Sequence, residues 1–411
     1  MGSLHHRQKH DLLCPHDKRE RRTKRASSFD SRTYSPLGSP QQGPVPWRPI
    51  RRDIDGTKSV STMPKRRAVV YCEREYQTAN GKTAHGLVRY TTKYEIVGVV
   101  DSTAPSGDAG EILDGKHRGI PLFASMEEAY KKIQPEIFIV GAVSEGGILP
   151  EGYDKAVMWA LSHGLDVVSG LHQFISDDER FTTIASKNNC KIVDVRKIFR
   201  DHKRFYTGEI SQVGSTRIAT LGTDSAIGKR TTAVMLVNEL RKRGRSADMI
   251  YTGQTGWMQG WPHGVVIDAL INDFVSGGIE GAILDSWRDE KPEFIIIEGQ
   301  GSLVHPFFPG GFEIMAAGQV HGFILQDAPG RPYLDGFPGY PMPDPGRVIK
   351  IAKLLSQCPL IGIGLNHEHL STDEAKKAKN RLHRRFKVPV EDPVFDGVTR
   401  MADAVVELRN R

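Results

Sequence analysis

Cysteine is scarce in this chain and does not cluster: Cys14, Cys72, Cys190 and Cys358 stand far apart, with no CxxC pair and no histidines gathered beside them. That excludes a disulfide scaffold and a structural zinc site, and it suits a reduced, cytoplasmic compartment. No apolar run approaches the roughly 18–20 residues a membrane span needs, and no hydrophobic segment of a secretory signal is present. Missing too is the GxGxxG fingerprint after the first predicted strand, where EREYQTANGKTAHGLVRY stands instead. NAD binding is therefore not expected, although Asp101 ends the second strand.

An even basic excess is absent as well. The net charge is +7, but residues 1–67 hold 16 Lys and Arg against 6 Asp and Glu, leaving 40 against 43 for the remainder. The folded domains thus make no electrostatic case for nucleic acid. Residues 1–64, rich in His, Arg, Ser and Pro and without apolar periodicity, read as a disordered basic tail. KRERRTKR from Lys18 to Arg25 reads as a solvated charge run, with a nuclear-import or anionic-surface patch near Ser27 and Ser28 as the second reading. Gly2 invites N-myristoylation, but His6 stands where that motif needs Ser or Thr. Asp11, Asp17, Glu20 and Asp30 count against a mitochondrial transit peptide.

What the sequence does have is alternation. The runs RAVVYC, YEIVGVV, EIFIVG, LDVVSG and CKIVDV, with helical patterns such as SMEEAYKKI and DKAVMWALSHG between them, predict an α/β domain over residues 65–210 with a largely parallel sheet. A second pattern over residues 211–411 predicts a doubly wound parallel sheet. Its strands are RIATLG, ADMIYTG, EFIIIEGQG, GFILQ and PLIGIGLN, with helices over Lys229 to Arg243, through VVIDALINDFVSG, around Gly346 to Leu355, over Thr372 to Phe386, and up to Arg409.

The chemistry gathers at the carboxyl ends of those second-domain strands. RIATLGTDSAIGKRTT is a strand, a glycine turn and a helix, the layout of a phosphate-binding loop. Gly222, Thr223, Asp224, Gly228, Lys229, Arg230 and Thr231 are its candidate ligand contacts. Five residues separate Gly222 from Gly228, and Arg230 takes the place of the usual metal-binding hydroxyl. Glu298, in EGQG after an apolar strand, occupies the position of an acid that takes a proton or orients Mg²⁺ water. His305 in SLVHP is a second candidate base. TGQTG offers Gln254 and Thr255, or is a mobile turn. Asp268, Gln300 and Arg331 complete the candidate substrate contacts, with plain helix surface the competing reading for Asp268. GKT at Gly81 to Thr83 reads as a helix start, or less readily as a ligand-contacting turn.

Taken in order, GKTAHGLVRY, GTDSAIGKRTT, TGQTG, DFVSG, EGQGSLVHP and APGR resemble the D-glutamate N-acetyltransferase-like family over residues 65–411. The resemblance implies a Rossmann-like N-terminal domain followed by a P-loop NTPase-like domain. It further implies acetyl transfer from acetyl-CoA to the amino group of a D-amino acid such as D-glutamate. GTDSAIGK and EGQG also resemble dethiobiotin synthetases, which implies the alternative of an ATP- and Mg²⁺-dependent kinase or ligase with Thr231 and Glu298 at the metal.

Arg230 favours the first reading, because a guanidinium cannot ligate a metal and suits the several phosphates of coenzyme A. On that reading no metal is needed, Glu298 or His305 takes the ammonium proton, and amides near Gly299 to Gly301 stabilise the oxyanion. Arg331 then meets the substrate carboxylate. A non-catalytic nucleotide-binding regulatory protein is a third reading. The expected partner is a small amino acid, with assembly as a homo-oligomer and no membrane association.

Overall fold

Apolar runs flanked by amphipathic helices bury both faces of a parallel sheet, and the chain does this twice. The structure, a computed structural model, describes residues 64–307 and 309–410. The expectations for the basic tail, its Lys18–Arg25 patch and Gly2 fall, save Pro64, outside the described residues.

In the first half, β1 (Arg66–Tyr71), β2 (Tyr94–Val100), β3 (Leu122–Phe123), β4 (Ile137–Val140), β5 (Asp166–Ser169) and β6 (Ile192–Asp194) form one sheet. Its order is β3-β2-β1-β4-β5-β6, and every neighbouring pair is parallel. Val69, Val70, Phe138, Ile139 and Val167 are fully buried in it. Helices Lys82–Arg89, Met126–Ile133, Tyr153–Ser162 and Glu179–Lys187 carry the crossovers. Strand order reverses beside β1, which opens a crevice at the carboxyl ends of β1 and β4. This is the Rossmann-like arrangement.

The second half contains β7 (Thr216–Gly222), β8 (Ala247–Ile250), β9 (Phe294–Glu298), β10 (Gly322–Asp327), a hairpin of β11 (Tyr333–Leu334) and β12 (Phe337–Pro341), then β13 (Leu360–Leu365) and β14 (Val390–Glu391). The main sheet runs β14-β13-β10-β7-β9-β8, again all parallel. Ile218, Ile295, Ile296 and Ile363 are fully buried within it. The central strand β7 feeds the phosphate loop and the helix Lys229–Lys242. Helix Thr372–Phe386 starts on a capping box, Ser371 with Glu374, which accounts for its sharp beginning.

Two expectations are corrected. VVIDALINDFVSG is not one helix: single turns of 3-10 helix lie at Ile267–Ala269 and Asn272–Phe274, and the α-helix runs Val275–Glu290. The loop after β8 captures the segment, since Val265 donates its N–H to Tyr251 and Ile267 to Thr252, 2.9 and 3.1 Å away. These bonds take the place of a helical ladder. TGQTG is not a mobile turn but the start of a short helix, Gln254–Gln259, whose Gln254, Thr255 and Gly256 are buried.

Candidate active site

The loop after β7 is shaped by glycine where the backbone demands it. Gly228 caps the helix Lys229–Lys242 at φ +102°, a conformation closed to residues with a Cβ. Lys229 follows, buried, and its ammonium turns back to donate to the Asp224 carbonyl. Burial lowers its pKa to about 7; nearby Lys82 and Arg331 push the same way, and Asp224 opposes them. Asp224 is fully buried and organises the loop: it accepts the N–H of Ser225 at 2.7 Å, that of Asp335 at 2.8 Å and Arg331 Nη1 at 2.6 Å. Thr223 turns the other way and donates to Asp327 at 2.9 Å.

Arg230 does not add a guanidinium to the phosphate face of the loop, contrary to expectation. Its Nη2 donates to the Lys82 carbonyl at 3.0 Å, and its Nη1 lies 3.6 Å from Glu298 Oε1. Burial lowers its pKa from the usual arginine range, while Glu298 acts in the opposite sense. Glu298 sits at the end of β9, beside the phosphate-loop strand. Burial raises its pKa; Arg230 and the Thr252 amide, 3.0 Å from Oε2, hold it down. The glycine after it answers to packing, because a Cβ on Gly299 would stand 1.8 Å from the Thr220 carbonyl oxygen. The Gly299 N–H is engaged by Thr220 Oγ1 at 3.2 Å, which removes it from the expected oxyanion donors.

The remaining candidates divide between the cavity wall and the seam between the halves. Thr255 Oγ1 lies 3.1 Å from Thr83 Oγ1, and Gln254 packs so closely on Gly170 that a Cβ there would be 2.6 Å from its Cγ. Asp268 takes a two-pronged bond from Arg196 at 2.7 and 3.1 Å. All three join the two halves rather than line the cavity. Gln300 packs over Gly253. His305 Nδ1 accepts the Phe307 amide at 3.1 Å, its Nε2 faces Asp224 Oδ1 at 3.5 Å, and burial lowers its pKa. Both ring nitrogens face protein. Arg331 lines the cavity but is paired with Asp224 and with Glu368 at 2.5 Å.

A cavity of about 730 Å³ opens between the halves. Gly228 and Thr231 form its phosphate-loop wall, and Tyr76, Lys82, His85 and Arg89 face them from the first half. At the far end lie Asn366 and His367, after β13, and Asp392, Pro393 and Val394, after β14. His367 Nδ1 lies 2.6 Å from Asp392 Oδ2, with the Phe395 ring 4.2 Å from its own. Sequence reading missed this end. PLIGIGLN followed by HEH on the predicted sheet was the available signal, while the two-residue β14 left no pattern to find. Among the described residues, no group of three or more His, Cys, Asp and Glu is arranged to hold a metal ion.

A P-loop sheet and a Rossmann-like sheet sharing one cavity define a two-domain α/β protein. The chain belongs to the DUF1611 family, described as a domain of unknown function: its P-loop domain matches residues 204–402 and its Rossmann-like domain residues 102–198. A protein of Tritonibacter scottomollicae named D-glutamate N-acetyltransferase is 30% identical over 287 residues, spanning 68% of this chain and 84% of that protein. One of the same name from a Pseudoalteromonas species is 30% identical over 273 residues, 65% of this chain and 80% of its own. The crystal structure of a DUF1611 family protein from Anabaena variabilis shares the fold at a TM-score of 0.76 and 28% identity, covering 84% of this chain and all of that one. Among the described residues no helix is long and apolar enough to cross a membrane.

Proposed function

We propose that this chain is an N-acetyltransferase that carries the acetyl group of acetyl-CoA to the amino group of a D-amino acid, D-glutamate being the first candidate. The names of the two relatives support the reaction class. The observation that carries the choice of coenzyme is Arg230. In the ATP-dependent alternative, Glu298 would help to order Mg²⁺, but here one of its oxygens faces a guanidinium at 3.6 Å and the other accepts a backbone amide. Arg230 also stands where that chemistry needs a hydroxyl on the metal.

The cavity suits a long ligand with phosphates at one end of its nucleotide. The amides at the start of the helix Lys229–Lys242 and the Lys229 ammonium would hold the pyrophosphate. Leu365, Asn366, His367, Pro393 and Val394 offer the mixed apolar and polar wall that a purine ring takes. Coenzyme A would supply a thioester as acyl donor. Glu298, its pKa raised by burial, would hold the proton released by the acceptor ammonium.

The test is direct. Purified protein is incubated with acetyl-CoA, or with Mg·ATP, and a panel of D- and L-amino acids, while thiol and phosphate release are followed. Thiol release with D-glutamate is expected; phosphate release with no thiol from any amine would reverse the reading.

A further inference from the structure

The wall facing the phosphate loop carries its own cations. Arg89 is taken by Asp114 at 2.9 Å, and the His85 ring nitrogen by the Tyr76 carbonyl at 2.6 Å. Across the cavity, Arg331 is held by Asp224 and Glu368. Of the lysines and arginines lining the cavity, Lys82 alone has no carboxylate within 4.0 Å among the described residues. Asp335 and Asp268 act on it only from a distance.

Its position is not left to chance. The Lys82 carbonyl is gripped by Arg230, and the adjoining Thr83 hydroxyl meets Thr255, so the first turn of this helix is pinned to the phosphate-loop domain. Gly86, on the same helix, lies so close to that domain that a Cβ would stand 2.8 Å from Thr255 Cγ2 and 2.9 Å from Arg230 Nη2. A cation fixed at a cavity wall without a counter-ion costs desolvation energy, which an anionic ligand offsets. Burial lowers its pKa, and an anionic ligand beside it would act in the opposite sense.

We propose that Lys82 is a second anion-binding group of this cavity, placed opposite the phosphate loop to take an anionic oxygen group of the bound ligand. Resting on the function proposed above, its sources are the acceptor's carboxylate, for which Arg331 is already engaged, and the 3′-phosphate of the coenzyme. Both bond to an ammonium in the same way. The site divides the work between the halves: the second holds the pyrophosphate, and the first supplies the remaining charge.

Lys82→Gln and Lys82→Arg in the full chain test this, because both keep the backbone carbonyl that Arg230 uses. Thermal unfolding first confirms that each variant is folded. Dissociation constants for coenzyme A, dephospho-coenzyme A and inorganic pyrophosphate are then measured, with KM for D-glutamate. A KM about tenfold higher in K82Q, with coenzyme affinity unchanged and recovery in K82R, assigns the carboxylate. Loss of a wild-type preference for coenzyme A over dephospho-coenzyme A assigns the 3′-phosphate. No change in any of these overturns the proposal, even with acetyl transfer intact. Should the wild type transfer no acetyl group, the proposed function fails, and inorganic phosphate titrated with saturating pyrophosphate on the phosphate loop still decides Lys82: about tenfold weaker phosphate binding in K82Q retains the site, and equal binding removes it.

Discussion

Two helices begin on a Gly-Lys pair at the same cavity, one in each half of the molecule. In the second half, Gly228 takes φ +102° and the loop behind it curls around the buried Asp224, folding Lys229 back against the loop's own carbonyl. In the first half, Gly81 has an ordinary φ of −72°, and its missing Cβ gives room to the Glu75 carbonyl and the His85 ring, which would be 2.5 and 2.8 Å from one. Ten residues, 72–81, separate β1 from that helix, against six, 223–228, after β7. A phosphate cradle comes from the backbone's wrap around the anion. A lysine at a helix start, without that wrap, is a lone charge whose use depends on what faces it.

The sharpest way to break this comparison is at the carboxylate facing Arg230, the residue that grips the Lys82 carbonyl of the first half. Glu298→Gln is expected to lower the acetyl transfer rate by roughly 10²–10⁴-fold, as for loss of a general base. Thiol release at saturating substrate measures it, and an unchanged rate would leave Glu298 only the task of positioning Arg230. Next comes the cradle: Lys229→Ala should weaken coenzyme A binding by about a hundredfold in calorimetry, a larger loss than at Lys82, because it removes charge-assisted bonds in a buried site. Equal losses at the two lysines would erase the distinction drawn between the two starts.

Gly299→Ala should destabilise the fold by about 3 kcal/mol or more in chemical denaturation, since a Cβ would strike backbone rather than a flexible side chain. At Gly81 the same substitution meets one backbone oxygen and a movable imidazole, and about 1–3 kcal/mol is expected.

The smallest effect separates the pH response of the fold from that of the site. His263 lies away from the cavity, between Asp248 at 2.6 Å and Asp289 at 3.2 Å. Burial alone would lower its pKa, but the bonds to these acids outweigh it and raise the value to about 9. Its contribution to stability is therefore complete below about pH 6.5 and lost as pH rises through 9, roughly 2–3 kcal/mol in all. The difference in denaturation midpoint between the wild type and His263→Gln should shrink over that window, since the buried lysines that titrate in the same range contribute equally to both proteins. Coenzyme affinity should begin to fall near pH 7, where free Lys229 loses its proton, and that dependence should vanish in Lys229→Ala.

Much of this was legible in the chain because long strands and well-capped helices carry their pattern locally. YEIVGVV is β2 residue for residue, and Thr372 to Phe386 is the helix drawn from its periodicity. β3 and β14 have two residues each, too few to alternate, and with β14 went half of the far wall of the cavity. The segment 265–274 reads as a helix because its own spacing says so; hydrogen bonds to Tyr251 and Thr252, more than ten residues upstream, say otherwise.

By itself the sequence determined the two parallel α/β sheets, the phosphate loop and its missing metal-binding hydroxyl, since each rests on residue types at short spacing. Only the tertiary structure decided what Arg230 does. Its partners, the Lys82 carbonyl and Glu298, lie 148 and 68 positions away along the chain, and electrostatic pairing depends on distance in space. For the same reason Gln254, Thr255 and Asp268 proved to be the seam between the halves, and Lys82, one cation in an undistinguished GKT, became the group left facing the cavity without a counter-ion among the described residues.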